Sequence, residues 1–196
     1  MGAPIGDRGR RSRREEAAPR ETDGPRRSFH RGQLGRLGRV LDLAREVTGD
    51  FYRLTAEAAG RLPYEVRTLR QLERSEIRPA GVLADVVRYE YRDTHYQRKR
   101  DLYRINLQDH NILAALTEGP RIDFSPFLLY ILTHELVHVI RFCRHEVPFY
   151  LDPRPRQEEE RRVHELTRRI LERVPMRGLG RVLEGYRGML EEFRAR

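Results

Sequence analysis

The chain has 196 residues, 35% of them charged and 38% hydrophobic, with a net charge of +9. That composition suits one compact domain plus a tail, and the single cysteine, Cys143, excludes an internal disulfide framework. The positive balance is almost wholly arginine, Lys99 being the only lysine; it favours acidic partners, nucleic acid among them, without itself establishing one.

Residues 1–33 read as a disordered arginine-rich tail, nine arginines against five acidic residues with very few large apolar side chains. Met1 to Ser28 contains no apolar h-region, so a cytoplasmic protein is expected, and no apolar run is long enough to predict a membrane partner. Residues 34–196 are expected to form one domain. Leu34, Leu37, Leu41, Val47, Phe51, Leu54 and Ala58 recur at helical spacing, which predicts a helix broken near Thr48-Gly49 and ended by Gly60 to Pro63. Val66, Leu69 and Leu72 suggest a further short helix, and Pro79-Ala80-Gly81 a break.

Residues 82–108 are rich in β-formers. Tyr103, Ile105 and Leu107 alternate with Arg104 and Asn106, as in a strand with one buried face. The run Val86–Tyr91 is either its hairpin partner or a preceding helix, across a polar, basic connection from Arg92 to Arg100. Asp109-His110-Asn111 reads as a turn, Ile112–Leu116 as a short helix closed by Gly119-Pro120. Ser125-Pro126 then opens an apolar helix, as N-cap and N1 proline.

That helix carries His134-Glu135-Leu136-Val137-His138. Positions i and i+4 lie one above the other on a helix, so His134 and His138 can offer two imidazole nitrogens to one tetrahedral Zn²⁺. Glu135 is one position along, placed to take a proton from a metal-activated water without being a ligand. An amphipathic helix with ordinary surface histidines would carry charges at neighbouring turns. From Phe127 to Ile140 the only ionisable side chains besides Tyr130 are these three, and burying them without partners is expensive.

The H-E-x-x-H pattern resembles the active-site helix of the zincin metalloproteases, firmly over His134–His138 and loosely to about Arg173. The metzincin continuation is disfavoured, because Arg141 and Arg144 stand where its glycine and third histidine would be. The gluzincin pattern, with a glutamate ligand from a downstream helix, suits the segment after Pro148, Pro153 and Pro155, whose inner face is marked by Val163, Leu166, Ile170 and Val174. Glu160 is the candidate third ligand; Glu159, His164 and His145 remain alternatives. In gluzincins an acidic residue often follows the ligand glutamate by four positions, whereas His164 stands here, open to a supporting or oxyanion-stabilising role.

The resemblance implies a zinc-dependent metallopeptidase acting on a peptide or protein, in a predominantly helical α+β fold with a small sheet or hairpin beside the motif helix and a ligand helix downstream. An edge strand would hold the substrate by main-chain hydrogen bonds, and residues 103–107 are the candidate. Two other classes stay open: a basic nucleic-acid-associated binding protein with a structural or vestigial metal site, and a SprT-type protease of DNA-bound proteins, for which zinc-ribbon cysteines are missing. A last helix runs from about Gly178, its stripe Leu179, Val182, Leu183, Tyr186, Met189, Leu190 and Phe193.

Overall fold

A computed structural model of the chain describes residues 26–93, 98–118 and 122–194, without the side chains of 92, 93, 98, 99, 118 and 187–194. Outside this description fall most of the arginine-rich tail, the 94–97 connection, the Gly119-Pro120 break and the outer stripe residues Met189, Leu190 and Phe193. The elements are α1 (Arg31–Phe51), α2 (Ala56–Gly60), β1 (Tyr64–Arg67), two 3₁₀ turns (Leu69–Gln71 and Arg74–Glu76), β2 (Ala84–Asp93), β3 (Arg98–Leu107), α3 (Asp109–Glu118), α4 (Phe124–Cys143), α5 (Pro153–Leu171) and α6 (Leu179–Arg194). This is the predominantly helical α+β architecture expected, with one small mixed sheet.

The motif helix α4 is the centre of the core. Every residue from Pro126 to Arg141 is buried, and α1, α5, α6 and β2 pack around it. A helix apolar on all sides must be enclosed. By length and composition α4 could also cross a membrane, but 89% of its apolar stretch is buried inside the fold. It starts two residues before the predicted cap: Asp123 is the N-cap and Phe124 the first helical residue. Pro126 is still tolerated, because first-turn N–H groups have no intrahelical partner.

Helix α1 buries Val40, Ala44 and Thr48, with Leu37, Leu41 and Val47 partly covered, while the predicted stripe members Leu34 and Phe51 stay exposed. It runs past Thr48-Gly49 and stops at Phe51; Thr55 then caps α2, its Oγ1 accepting from Ala58 N at 3.2 Å. Packing into the core also begins before Leu34. Phe29 is buried and meets the Phe124 ring edge-on at 5.2 Å, and His30 caps α1 by accepting from Gly32 N through Nδ1 at 3.0 Å. An imidazole cap lacks the Ser/Thr/Asp/Asn signature that marks most helix starts.

The sheet corrects two expectations, the short helix at Val66 and the edge position of residues 103–107, and bears out the hairpin reading of Val86–Tyr91. Val66 lies in strand β1, followed by a 3₁₀ turn at Leu69, rather than in a short helix. Pro63 favours extended backbone before it, and Tyr64-Glu65-Val66-Arg67 then pairs parallel with Tyr103–Asn106. The run 86–91 belongs to a hairpin strand, β2, antiparallel to β3 from Ala84↔Leu107 to Asp93↔Arg98. The strand order is β1-β3-β2, so residues 103–106 are paired on both sides and cannot receive a peptide; among the described residues β1 and β2 have open edges, and β2 is the one that borders the cleft. The inward alternation of Tyr103, Ile105 and Leu107 is observed, but Asn106 is buried as well.

Residues 108–111 form a polar node rather than a simple turn. Asp109 opens α3 and accepts from Phe29 N at 2.8 Å and Leu69 N at 3.1 Å, partners that are 80 and 40 residues away. Gln108 donates to Glu76 O at 3.0 Å and Asp85 Oδ1 at 3.2 Å and accepts from Arg78 N at 3.1 Å. Asn111 donates to Pro79 O at 2.8 Å and Val82 O at 2.7 Å, closing a turn in which Gly81 takes φ 91°, left-handed backbone that glycine adopts without strain. Burial pushes the Asp109 carboxyl up despite its backbone hydrogen bonds. Asp109→Ala leaves two buried N–H groups without acceptors and is expected to destabilise the fold by about 2 to 4 kcal/mol in urea denaturation; a loss below about 1 kcal/mol would show that water replaces both bonds.

Candidate metal centre

Helices α4 and α5 run antiparallel, as their side-chain pairs show: Tyr130 meets His164, His134 and His138 meet Glu160, and Arg141 meets Glu159. His134 Nε2 and His138 Nε2 are 3.2 Å apart, and Glu160 Oε2 lies 3.4 Å from the first and 3.5 Å from the second. Donors ~2.0–2.1 Å from one tetrahedral centre stand ~3.3–3.4 Å from each other. The triangle therefore fits a Zn²⁺-sized cation with little movement, and two imidazoles plus a carboxylate are a donor set that catalytic zinc takes.

The charges point the same way. Burial alone would lower the His138 pKa, yet Glu160, Glu135 and Glu159 together raise it, so the site stabilises positive charge even against desolvation. Burial alone would raise Glu160, but its hydrogen bonds with His134 and His138 outweigh that and hold it well below the usual carboxylate range. Glu135 is enclosed, and burial raises its carboxyl more than the two neighbouring imidazoles lower it. A carboxylate so placed is a stronger base than one in water.

Which glutamate faces the imidazoles is decided by Arg141. Its guanidinium makes a two-pronged contact with Glu159, Nε to Oε1 at 2.6 Å and Nη2 to Oε2 at 3.0 Å, and Nη1 reaches Glu146 at 2.6 Å. Both oxygens of Glu159 are thus engaged, and Glu160, next along α5, is turned to the histidines. His145 is exposed past the end of α4, at φ 54°, away from the cluster. His164 is close: one donor atom each of His134, Glu160 and His164 lie within 4.8 Å of one another. Its Nδ1 is bonded to Tyr130 Oη at 2.7 Å, and burial with the neighbouring His134 pushes its pKa down to about 3, so the ring is neutral.

Ligating imidazoles usually donate their second N–H to a fixed acceptor. Here Nδ1 of both His134 and His138 is buried without a partner among the described residues, and ring orientation rests on packing instead. His138 stacks on Phe142 at 5.9 Å and 19°, and His134 lies between Tyr130 at 6.4 Å and His164 at 4.3 Å. A cleft of about 380 Å³ opens onto His134, Glu135, His138 and Glu160. One wall is Ala84–Val86 at the start of β2; the other is Phe142 with Phe149–Leu151 from the α4–α5 connection. Arg88 of β2 lies 5.3 Å from both the Phe149 and Tyr150 rings and links the two walls.

Tyr130, the β2 edge and the pairing of Arg141 with Glu159 are the site features missing from the sequence-based candidates. Tyr130 was legible in principle, one turn before His134 in the column 130-134-138. Arg141 stands out in the sequence as the residue excluding a metzincin turn and, with His164, Tyr150 and His145, as a donor near the motif, but nothing local pairs it with Glu159. Arg141→Met would strand the buried Glu159 charge and is expected to lower stability by about 3 to 5 kcal/mol, most of it recovered in the Arg141→Met/Glu159→Met double variant; thermal and urea unfolding of the three proteins measure this, and a single variant as stable as wild type would contradict the pairing.

Compared with protein-family models, with curated proteins and with solved structures, the chain gives no significant match.

Proposed function

We propose that this chain is a zinc-dependent metallopeptidase in which His134, His138 and Glu160 hold Zn²⁺ and Glu135 is the general base. The near-equilateral triangle of two Nε2 atoms and Oε2, with edges of 3.2 to 3.5 Å, carries the reading. A zinc ion held by these three residues would lower the pKa of a coordinated water towards ~7 and polarise the carbonyl under attack.

The chain's own groups do the rest. Glu135 takes the proton that the attacking water gives up as its oxygen bonds to the carbonyl carbon, and delivers it to the amine that leaves when the C–N bond breaks. Its raised pKa suits both halves of that task. Peptide is favoured as the substrate because an open strand edge runs beside the cluster: Ala84–Val86 can take an extended chain by main-chain hydrogen bonds. Asp85, held by Arg78 at 2.9 Å and by Gln108, keeps that edge in place. Phe142, Phe149 and Leu151 give the opposite wall an apolar surface for substrate side chains.

Elemental analysis of purified protein should find one zinc per chain. Glu135→Gln is expected to keep that zinc while lowering cleavage of a quenched-fluorescent peptide library by about 10²- to 10⁴-fold. Glu160→Gln should lose zinc where Glu159→Gln keeps it. Protein that takes up no zinc, or a Glu160→Gln variant that binds it as tightly as wild type, would remove the basis of this assignment.

A further inference from the structure

We propose that His164 donates an Nε2–H hydrogen bond to the carbonyl oxygen of the peptide bond being cleaved, and that Tyr130 holds the ring in the tautomer that makes this donation. The proposal rests on the metallopeptidase reading.

His164 is one turn beyond Glu160 on α5, and Tyr130 one turn before His134 on α4, so the pair forms the layer next to the metal ligands. Tyr130 Oη lies 2.7 Å from His164 Nδ1. The hydroxyl is a donor as well as an acceptor, and the bare ring nitrogen of a neutral imidazole is the better acceptor of the two groups. The phenol proton therefore goes to Nδ1, which leaves the ring proton on Nε2. Tyr130 is itself fixed: it is buried, and the Tyr186 ring of α6 stacks on it at 3.9 Å and 15°.

His164 Nε2 has no hydrogen-bond partner among the described residues, nor is it among the buried unpartnered atoms, so it remains available to a ligand. Its ring lies against His134 at 4.3 Å with the planes tilted by 42°; the converging pair His134 and His138 has centroids at 4.8 Å and planes at 74°. His138 Nε2 and Glu160 Oε2 are already 3.2 and 3.4 Å from His134 Nε2, and His164 stands as a further group beside that triangle. An oxygen completing a tetrahedron with the three atoms of the triangle would lie ~3.3 Å from each of them. A donor ~2.9 Å from that oxygen can stand anywhere out to ~6 Å from those atoms, and one ring nitrogen of His164 is within 4.8 Å of a ligand atom of His134 and of Glu160. The other donors near this part of the chain are committed or remote. Arg141 is spent on Glu159 and Glu146, His145 is away from the cluster, Tyr150 is 72% exposed at the cleft mouth, and Arg156, exposed in the cleft lining, donates to Leu151 O at 3.4 Å.

Heteronuclear NMR of the imidazole nitrogens tests the tautomer directly. In wild-type protein, with and without zinc, His164 should show a protonated Nε2 and a bare Nδ1, and Tyr130→Phe should mix the two tautomers. A proton on Nδ1, or loss of the Nε2 proton on adding zinc, would overturn the proposal, the latter by making His164 a ligand. Calorimetry with a phosphinic peptide, whose tetrahedral anion mimics the attacked carbonyl, tests the donation. His164→Ala should keep the zinc stoichiometry of wild type and bind the phosphinic peptide about 10²-fold more weakly. Tyr130→Phe should weaken it less, again with zinc unchanged. Unaltered affinity in His164→Ala, or loss of its zinc, would also overturn the proposal. Wild-type protein without zinc would instead defeat the metallopeptidase reading, so the two failures are distinguishable.

Discussion

The ion pair between Arg141 and Glu159 sets the relation between α4 and α5 on which the site depends. A buried guanidinium demands a carboxylate in fork geometry, and a buried carboxylate demands its cation; neither tolerates a shift by one residue. With Glu159 held by two hydrogen bonds of 2.6 and 3.0 Å, the helical phase of α5 is determined, and Glu160 and His164 fall where the histidines of α4 can meet them. A buried pair of this kind adds little net stability compared with an apolar substitute, because desolvation offsets most of the attraction. Its consequence is register.

A second constraint works from the other side of the cleft. The polar node at Gln108, Asp109 and Asn111 collects the start of α1, the 3₁₀ segment at Leu69, the turn at Pro79–Val82 and Asp85 of β2. It spans the junction of β3 and α3, so the outer strand is tied to the strand at the sheet's centre and through it to the core. The edge that borders the cleft is thereby fixed relative to α4, although β2 itself has a neighbour on only one side. The cluster is thus gripped between two buried polar networks, each linking segments far apart in the chain.

Between them the site gathers more acidic than basic character. Glu135, Glu159 and Glu160 all act on His138, and their combined field exceeds the desolvation that would otherwise discharge it. Arg141 neutralises part of this charge at Glu159. The remainder surrounds the two imidazoles, a negative field that the proposed cation would balance. The unpartnered Nδ1 atoms of both histidines mark where this centre differs from metal sites with a complete supporting shell, and aromatic stacking takes over the orienting role.

The sequence by itself determined what local periodicity can encode. An i,i+4 pair of histidines on an uninterrupted apolar helix converges whatever the surrounding fold, and Glu160 stood out because a second helix with an acidic face follows a proline-rich break. The alternation of Tyr103, Ile105 and Leu107 likewise identified a strand with a buried face. The choice between Glu159 and Glu160 was not local: it depended on Arg141, 18 residues earlier in the chain. That β3 is not an edge strand is illegible in the sequence, because its parallel partner is a four-residue segment almost forty residues away, too short and too mixed in character to announce itself. Asp109 read as a turn residue since its acceptor role answers N–H groups 40 and 80 residues distant. Helical phase and strand identity follow from nearest neighbours along the chain, whereas register between elements is set by buried polar groups that must find partners, and only the tertiary structure decides which ones they find.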